Sequence, residues 1–234
     1  MAYMFDLHLL VQAVLYFTAV GCGLVISIPT GVTKVNFEKQ CLLYTECQWQ
    51  NSTFFSAKFG DAGSCNFIIY ASVFVGIFYP LGMGVYYVYA LTRKDPNIGS
   101  QMWVFPFILA NCVVALMFFI VACIISVGLK SFCDSYLKRP VPYSESCADA
   151  EKARWYNTDG SLVTRGSFYG YLHAAEGASW VNFFVWAVQV GLGVFRLYRN
   201  RRQRSAGDFS DSAPVASEGK GGDLKAVAAD VEKY

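Results

Sequence analysis

His173 and Glu176 stand three residues apart at the start of a long apolar run, so on a helix they share one face. A carboxylate beside an imidazole can hold a cation or pass a proton, and an ionisable residue in a membrane span points to function by default. Asn111, alone among apolar neighbours, is a third polar group of this kind. A plainer account fits all three. His173 and Glu176 lie near the end of their run, where an interhelical or loop-anchoring hydrogen bond explains them. Asn111 needs only an interhelical partner, an interaction of about 0.6–2 kcal/mol. The plainer account is preferred.

Cysteine is the other residue type with chemistry to offer. Of eight, Cys41, Cys47, Cys65, Cys133 and Cys147 fall in polar connections, and Cys22, Cys112 and Cys123 in apolar runs, where they read as small apolar helix residues. There is no C-x-x-C, and the only histidines are His8 and His173, so no zinc spacing is present. Cys41–Cys65 and Cys133–Cys147 bridges would each close a short loop and stabilise by about 3 kcal/mol, but spacing alone does not decide connectivity. Cys47 is the odd thiol, free or paired between chains. No nucleophile–base pair or metal-ligand set emerges. We therefore expect no enzyme, no cofactor and no nucleic-acid partner.

These groups must be positioned by four apolar runs, at about 9–28, 67–91, 102–129 and 174–194. Each is near or above the roughly 20 apolar residues a helix needs to cross a hydrocarbon core of about 30 Å. The chain is 55% hydrophobic and 15% charged, against about 25% charged in ordinary soluble domains. Too little polar sequence remains to bury four such stretches in a soluble fold. The expected fold is an all-α membrane protein, four transmembrane helices in an antiparallel bundle with two disulfide-tied outer loops. Residues 1–8 lack Lys and Arg and carry Asp6, so the first run reads as a retained helix rather than a signal peptide.

Orientation follows from three signals. Arg93 and Lys94 open the short second connection, and Arg196, Arg199, Arg201, Arg202 and Arg204 follow the fourth run, which places both termini in the cytoplasm. Asn51-Ser52-Thr53 is a glycosylation sequon in the first large loop. The loop cysteines share that outer side, where disulfides persist. The arginines form a juxtamembrane basic patch that anchors topology and would gain about 1 kcal/mol each near anionic lipid.

Along the chain, Gly21 and Gly23 lie near the outer end of the first helix, and Pro29 and Gly31 are expected to end it. The loop 30–66 should form a compact cap over the bundle, with room for short strands, because Leu42, Leu43, Tyr44, Trp49, Phe54, Phe55 and Phe59 need cover. Pro80, with Gly76, Gly82 and Gly84, should kink the second helix. The third is expected to end at Leu129, the second loop (130–171) starting there as a disulfide-anchored turn. That loop's acids, Asp134, Glu145, Asp149 and Glu151, alternate with bases and read as a solvated surface. Ala174, Gly177, Ala178 and Ser179 form a small-residue surface for close helix packing. Residues 1–204 make one membrane domain, and 205–234 read as a disordered cytoplasmic tail.

Read together, several segments resemble the transmembrane protein 179 family, with its B branch the closer. They are Cys41-Leu42-Leu43-Tyr44, Cys65-Asn66-Phe67, Ala122-Cys123-Ile124-Ile125-Ser126-Val127-Gly128 with Ser131-Phe132-Cys133-Asp134, Ser146-Cys147, and Phe168-Tyr169-Gly170-Tyr171-Leu172-His173-Ala174-Ala175-Glu176 with Ser179-Trp180-Val181-Asn182. Thr45-Glu46 near Trp49 looks more like the other branch. The resemblance implies four spans, makes Cys41, Cys65, Cys133 and Cys147 the family's loop cysteines, and supplies no catalytic residue. The expected partners are the lipid bilayer and other membrane proteins or further copies of the chain. A channel or transporter subunit built on the polar groups of helices two to four is the alternative.

Overall fold

The structure is a computed structural model that describes residues 2–49, 54–93, 104–138, 146–152, 154–156 and 167–211. Four helices are long and apolar enough to span a membrane, over Leu7–Asn36, Ala62–Thr92, Phe105–Leu137 and Tyr169–Arg199. They cover the four expected runs apart from the first residues of the third, and each extends beyond its run at the cap end by more than one turn.

The first helix, Ala2–Asn36, passes through Pro29 and Gly31, which the sequence suggested would end it. Proline here removes one backbone donor, and the Thr30 and Thr33 hydroxyls donate to the Ile26 and Pro29 carbonyl oxygens nearby. Lys34 donates to the side chain of Asn66, tying this last turn to the second helix. The helix stops where Glu38 and Lys39 take positive φ (53° and 69°), and the Lys39 N–H bonds back to the Lys34 carbonyl at 2.8 Å.

The second helix runs through three consecutive segments: Ala62–Tyr70, a π-helical stretch Ala71–Phe78, and Tyr79–Arg93. The π-helical stretch ends two residues before Pro80, where the sequence leads one to expect a kink, and the Tyr79 N–H reaches back to the Phe74 carbonyl. Here the first and second helices touch at Gly23 and Gly76. A Cβ on Gly23 would come within 2.7 Å of the Gly76 carbonyl oxygen, and one on Gly76 within 2.8 Å of the fully buried Phe118 ring of the third helix. Three helices thus meet at one glycine pair.

The third helix, Val104–Leu137, runs two turns past Leu129. The second outer connection therefore does not start as a turn at Lys130. Phe132 and Tyr136 on those added turns are buried beneath the cap, which stabilises the extension.

The cap is a three-stranded sheet in the order β1-β2-β3: β1, Cys41–Trp49; β2, Phe54–Gly60; β3, Arg154–Tyr156. β1 pairs antiparallel with β2, and β2 parallel with β3, so the two outer connections close one structure. β1 lies against the third helix at Gly128, where a Cβ would come within 2.9 Å of the Leu43 Cβ. Disulfides join Cys41 to Cys65 and Cys133 to Cys147. Cys133 sits on the helix, and Cys147 opens a 3-10 turn, Cys147–Glu151. Asn51 falls between β1 and β2, outside the described residues.

Cys47 is unpaired. Its thiol is pushed up to about 12, because burial penalises the thiolate. At pH 8 it is overwhelmingly protonated, so a soluble maleimide should label it many times more slowly than an exposed cysteine. Rapid stoichiometric labelling at pH 8 would show that the strand lies open.

The fourth helix, Tyr169–Asp211, starts about one turn before the apolar run. It continues through 205–211, where the sequence places the start of the tail; the rest of that tail, 212–234, lies outside the described residues.

Candidate functional site

The fourth helix has two unlike faces. Ala175, Ser179, Asn182, Trp186, Gln189 and Arg196 are all buried, and they recur at helical spacing on the side facing the bundle. In a membrane protein the inward face need not be apolar, since lipid supplies the apolar phase outside. This polar stripe is visible in the sequence as a three- and four-residue recurrence. Reading for hydropathy alone passes over it.

Around the stripe a polar network joins all four helices. The Tyr79 hydroxyl donates to the Asn111 Oδ1 at 2.9 Å, and the Asn111 Nδ2 donates to the Tyr16 hydroxyl at 3.2 Å. Trp186 packs on both tyrosine rings, at centroid distances of 5.8 and 5.7 Å. The Gln189 Nε2 donates to the Gln12 backbone carbonyl at 3.0 Å. Tyr87 lies within hydrogen-bonding reach of both Tyr16 and Arg196. Asn111 is therefore the centre of an interhelical contact that the sequence placed on one helix without partners.

Beside this network is a cavity in which all four helices take part. Gln12, Tyr87, Asn111 and Arg196 supply its polar wall, Phe107 and Ile108 its apolar wall. Its volume is about 20 Å³, room for about one water. The Gln12 Oε1 is buried without a hydrogen-bond partner, as are the Gln189 Oε1, both polar atoms of the Asn182 amide, the Ser72 Oγ and the Trp186 Nε1.

Arg196 departs from the basic patch in which the sequence grouped it. It is 4% exposed and faces inward, one turn beyond Gly193 on the buried side, while Arg201 and Arg202 are exposed and Arg199 is half-buried. Helical periodicity separates residues that adjacency groups. The Arg204 side chain lies outside the description.

His173 and Glu176 do meet, at 3.1 Å, and the His173 ring also packs on Tyr169. The pair lies ten residues from Trp186, about 15 Å along the helix. It is thus separate from the Asn111 network. It sits at the outer end of the helix, with His173 exposed and Glu176 half-buried.

The outer site is built on Trp155, which the sequence did not single out. Its ring, fully buried, contacts Phe37, Phe55, Phe132 and Phe168 at centroid distances of 4.9–5.6 Å, and its Nε1 donates to the Ala150 carbonyl at 2.8 Å. These rings come from the end of the first helix, β2, the third helix and the entry to the fourth. Glu151, read as a solvated acid, instead accepts the backbone N–H groups of Phe168 and Tyr169 at 2.8 and 2.7 Å. It caps the fourth helix from a remote turn, where a carboxylate satisfies orphan donors and complements the helix dipole. Among the described residues no three His, Cys, Asp or Glu side chains cluster to hold a metal.

A family profile described as the transmembrane protein 179/179B claudin domain matches residues 8–219. The chain belongs to the transmembrane protein 179 family. Three relatives of this family resemble it over most of their lengths. Transmembrane protein 179B of Danio rerio is 25% identical over 210 residues, 90% of this chain and 93% of the relative. Transmembrane protein 179B of Homo sapiens is 28% identical, covering 79% of this chain and 80% of the relative. Transmembrane protein 179B of Mus musculus is 29% identical, covering 76% and 78%. No solved structure matches the chain. The match to the transmembrane protein 179 family spans all four helices and the cap. The protein is accordingly a multi-pass integral membrane protein.

Proposed function

We propose that the protein is a non-enzymatic tetraspan glycoprotein that acts by holding membrane-protein partners, including further copies of itself. Its cap faces the lumen or the cell exterior, and both termini lie in the cytosol. The fourth helix carries this reading. Only 22% of its most apolar window is buried within the chain, against 39–44% for the other three. Its outward face holds Gly170, Ala174, Gly177 and Gly191, and a Cβ on any of these glycines would meet nothing within 4 Å. Small residues on a lipid-facing surface let a second helix approach closely. The cap supplies a rigid outer platform, because two disulfides and the Trp155 cluster join both connections to the helix ends.

Cross-linking in native membranes, followed by mild-detergent purification, tests the reading. We expect a reproducible oligomer or a defined partner that is lost in Ala174→Leu/Gly177→Leu. A monomeric particle, with no cross-link in the wild type, would overturn it. The inward polar stripe favours one second reading, a channel or transporter subunit. That reading expects a flux altered by Asn111→Leu or Glu176→Gln, and it is discarded if wild-type vesicles pass no ion above background.

A further inference from the structure

We propose that the fourth helix binds a zinc ion through His173 and Glu176, and that a second copy of the chain completes the site with the same two side chains. This rests on the reading of the fourth helix as a self-association surface and names the contact that would fix it. The His173 Nδ1 and the Glu176 Oε2 lie 3.1 Å apart, and the imidazole packs edge-on against Tyr169. Among the described residues neither side chain bonds to another helix or to a loop, so the anchoring role that the sequence suggested is not filled. An exposed pair within one helix adds little to stability.

The spacing suits a metal. A tetrahedral zinc ion, with bonds of about 2.0–2.1 Å to nitrogen and oxygen, sets neighbouring ligand atoms about 3.3–3.4 Å apart. His173 and Glu176 already hold two such atoms near that separation, on adjacent turns of one helix. The neutral imidazole offers the Nδ1 lone pair, its proton then residing on Nε2, and the carboxylate offers an oxygen. Imidazole beside carboxylate favours zinc over calcium or magnesium, which take oxygen ligands. The pair flanks the start of the fourth apolar run, at the cap end of the helix, and the His173 side chain is 47% exposed. An ion therefore reaches it from water.

One chain supplies two of the four ligands that zinc takes. Among the described residues no third His, Cys, Asp or Glu joins the pair. Glu151, beside the helix start, already accepts the N–H groups of Phe168 and Tyr169. Two copies in one membrane share an orientation, so a two-fold axis along the membrane normal brings identical residues face to face at equal depth. That symmetry gives two imidazoles and two carboxylates from one repeated pair. The helix surface allows the approach. Gly170 and Gly177 lie about one turn before and one turn after His173, and a Cβ on either would meet nothing within 4 Å.

The test uses the purified full-length chain in mild detergent, without a polyhistidine tag, stripped with EDTA and titrated with zinc chloride or cobalt chloride. We expect one zinc per two chains, a dimer that zinc promotes and EDTA reverses, and the strong visible absorption of tetrahedral cobalt. His173→Ala and Glu176→Gln should each weaken binding by more than the about 10–100-fold that loss of an outer-shell partner costs. His8→Ala should leave it unchanged. Ala174→Leu/Gly177→Leu, which blocks the approach and keeps both ligands, should abolish the half-stoichiometric binding. The proposal is overturned if zinc binding does not saturate, if one zinc binds per chain, or if His173→Ala keeps the wild-type affinity. A dimer equally stable in zinc and in EDTA removes the metal and leaves self-association standing, whereas a monomer in both removes the two together. The wild-type titration decides on its own should a variant fail to fold.

Discussion

Trp155→Ala should destabilise the protein by about 3–5 kcal/mol, the range for truncating a large, fully buried aromatic side chain. The indole occupies the centre of the cap and contacts four rings from four separate parts of the chain. Its removal leaves a cavity among Phe37, Phe55, Phe132 and Phe168 and strands the Ala150 carbonyl that it now bonds. The disulfides do not compensate, since they constrain connections rather than fill space. Trp49→Ala is the comparison. Trp49 is half-buried at the edge of the same cluster, so its loss should cost less. Thermal unfolding in mild detergent measures both. Equal midpoints for wild type and Trp155→Ala would show that the cap does not depend on this hub.

A methyl group should have opposite effects at two glycines only two residues apart. Gly23→Ala is expected to destabilise by about 1–3 kcal/mol, the cost of overpacking a filled interior. Its Cβ meets the backbone carbonyl of Gly76, which no rotamer change can move, so the first and second helices must separate. Gly21→Ala faces open space, and there alanine should stabilise the helix by about 0.5–1 kcal/mol through lower conformational entropy of the unfolded chain. The difference between the variants therefore isolates contact from propensity. Equal unfolding midpoints for the two would remove the Gly23–Gly76 contact from the account. The π-helical stretch Ala71–Phe78 belongs to the same argument, since Gly76 lies within it and presents its carbonyl to the first helix there.

Both sites bear on the partner-binding reading. The cap cluster holds the outer platform as one piece, and the glycine contact fixes the first three helices. The fourth helix is then free to keep its polar face inward and offer its small residues outward. Phe118, Trp186 and Tyr16 fill the middle of the bundle, and the cavity toward the termini is small.

Amino-acid order by itself determined the four spans, the placement of five cysteines outside the apolar runs and the family. Hydropathy over 20 residues is a local property, and lipid reads it directly. It also singled out Asn111, His173 and Glu176 as polar groups in apolar surroundings, and His173 with Glu176 as one helical face. Tertiary structure decided what each of them touches. Whether Asn111 meets Tyr16 and Tyr79 depends on how four helices rotate about their axes, and hydropathy does not report rotation. The same rotation moved Arg196 out of a surface patch into a buried wall. The first and third helices run past Pro29 and Leu129 because the cap buries the turns beyond them, and that burial outweighs local stop signals. Glu151 and Trp155 were invisible for a related reason. Their roles come from contacts with residues distant in the chain, and a carboxylate becomes a helix cap only where folding brings it to the N–H groups of Phe168 and Tyr169.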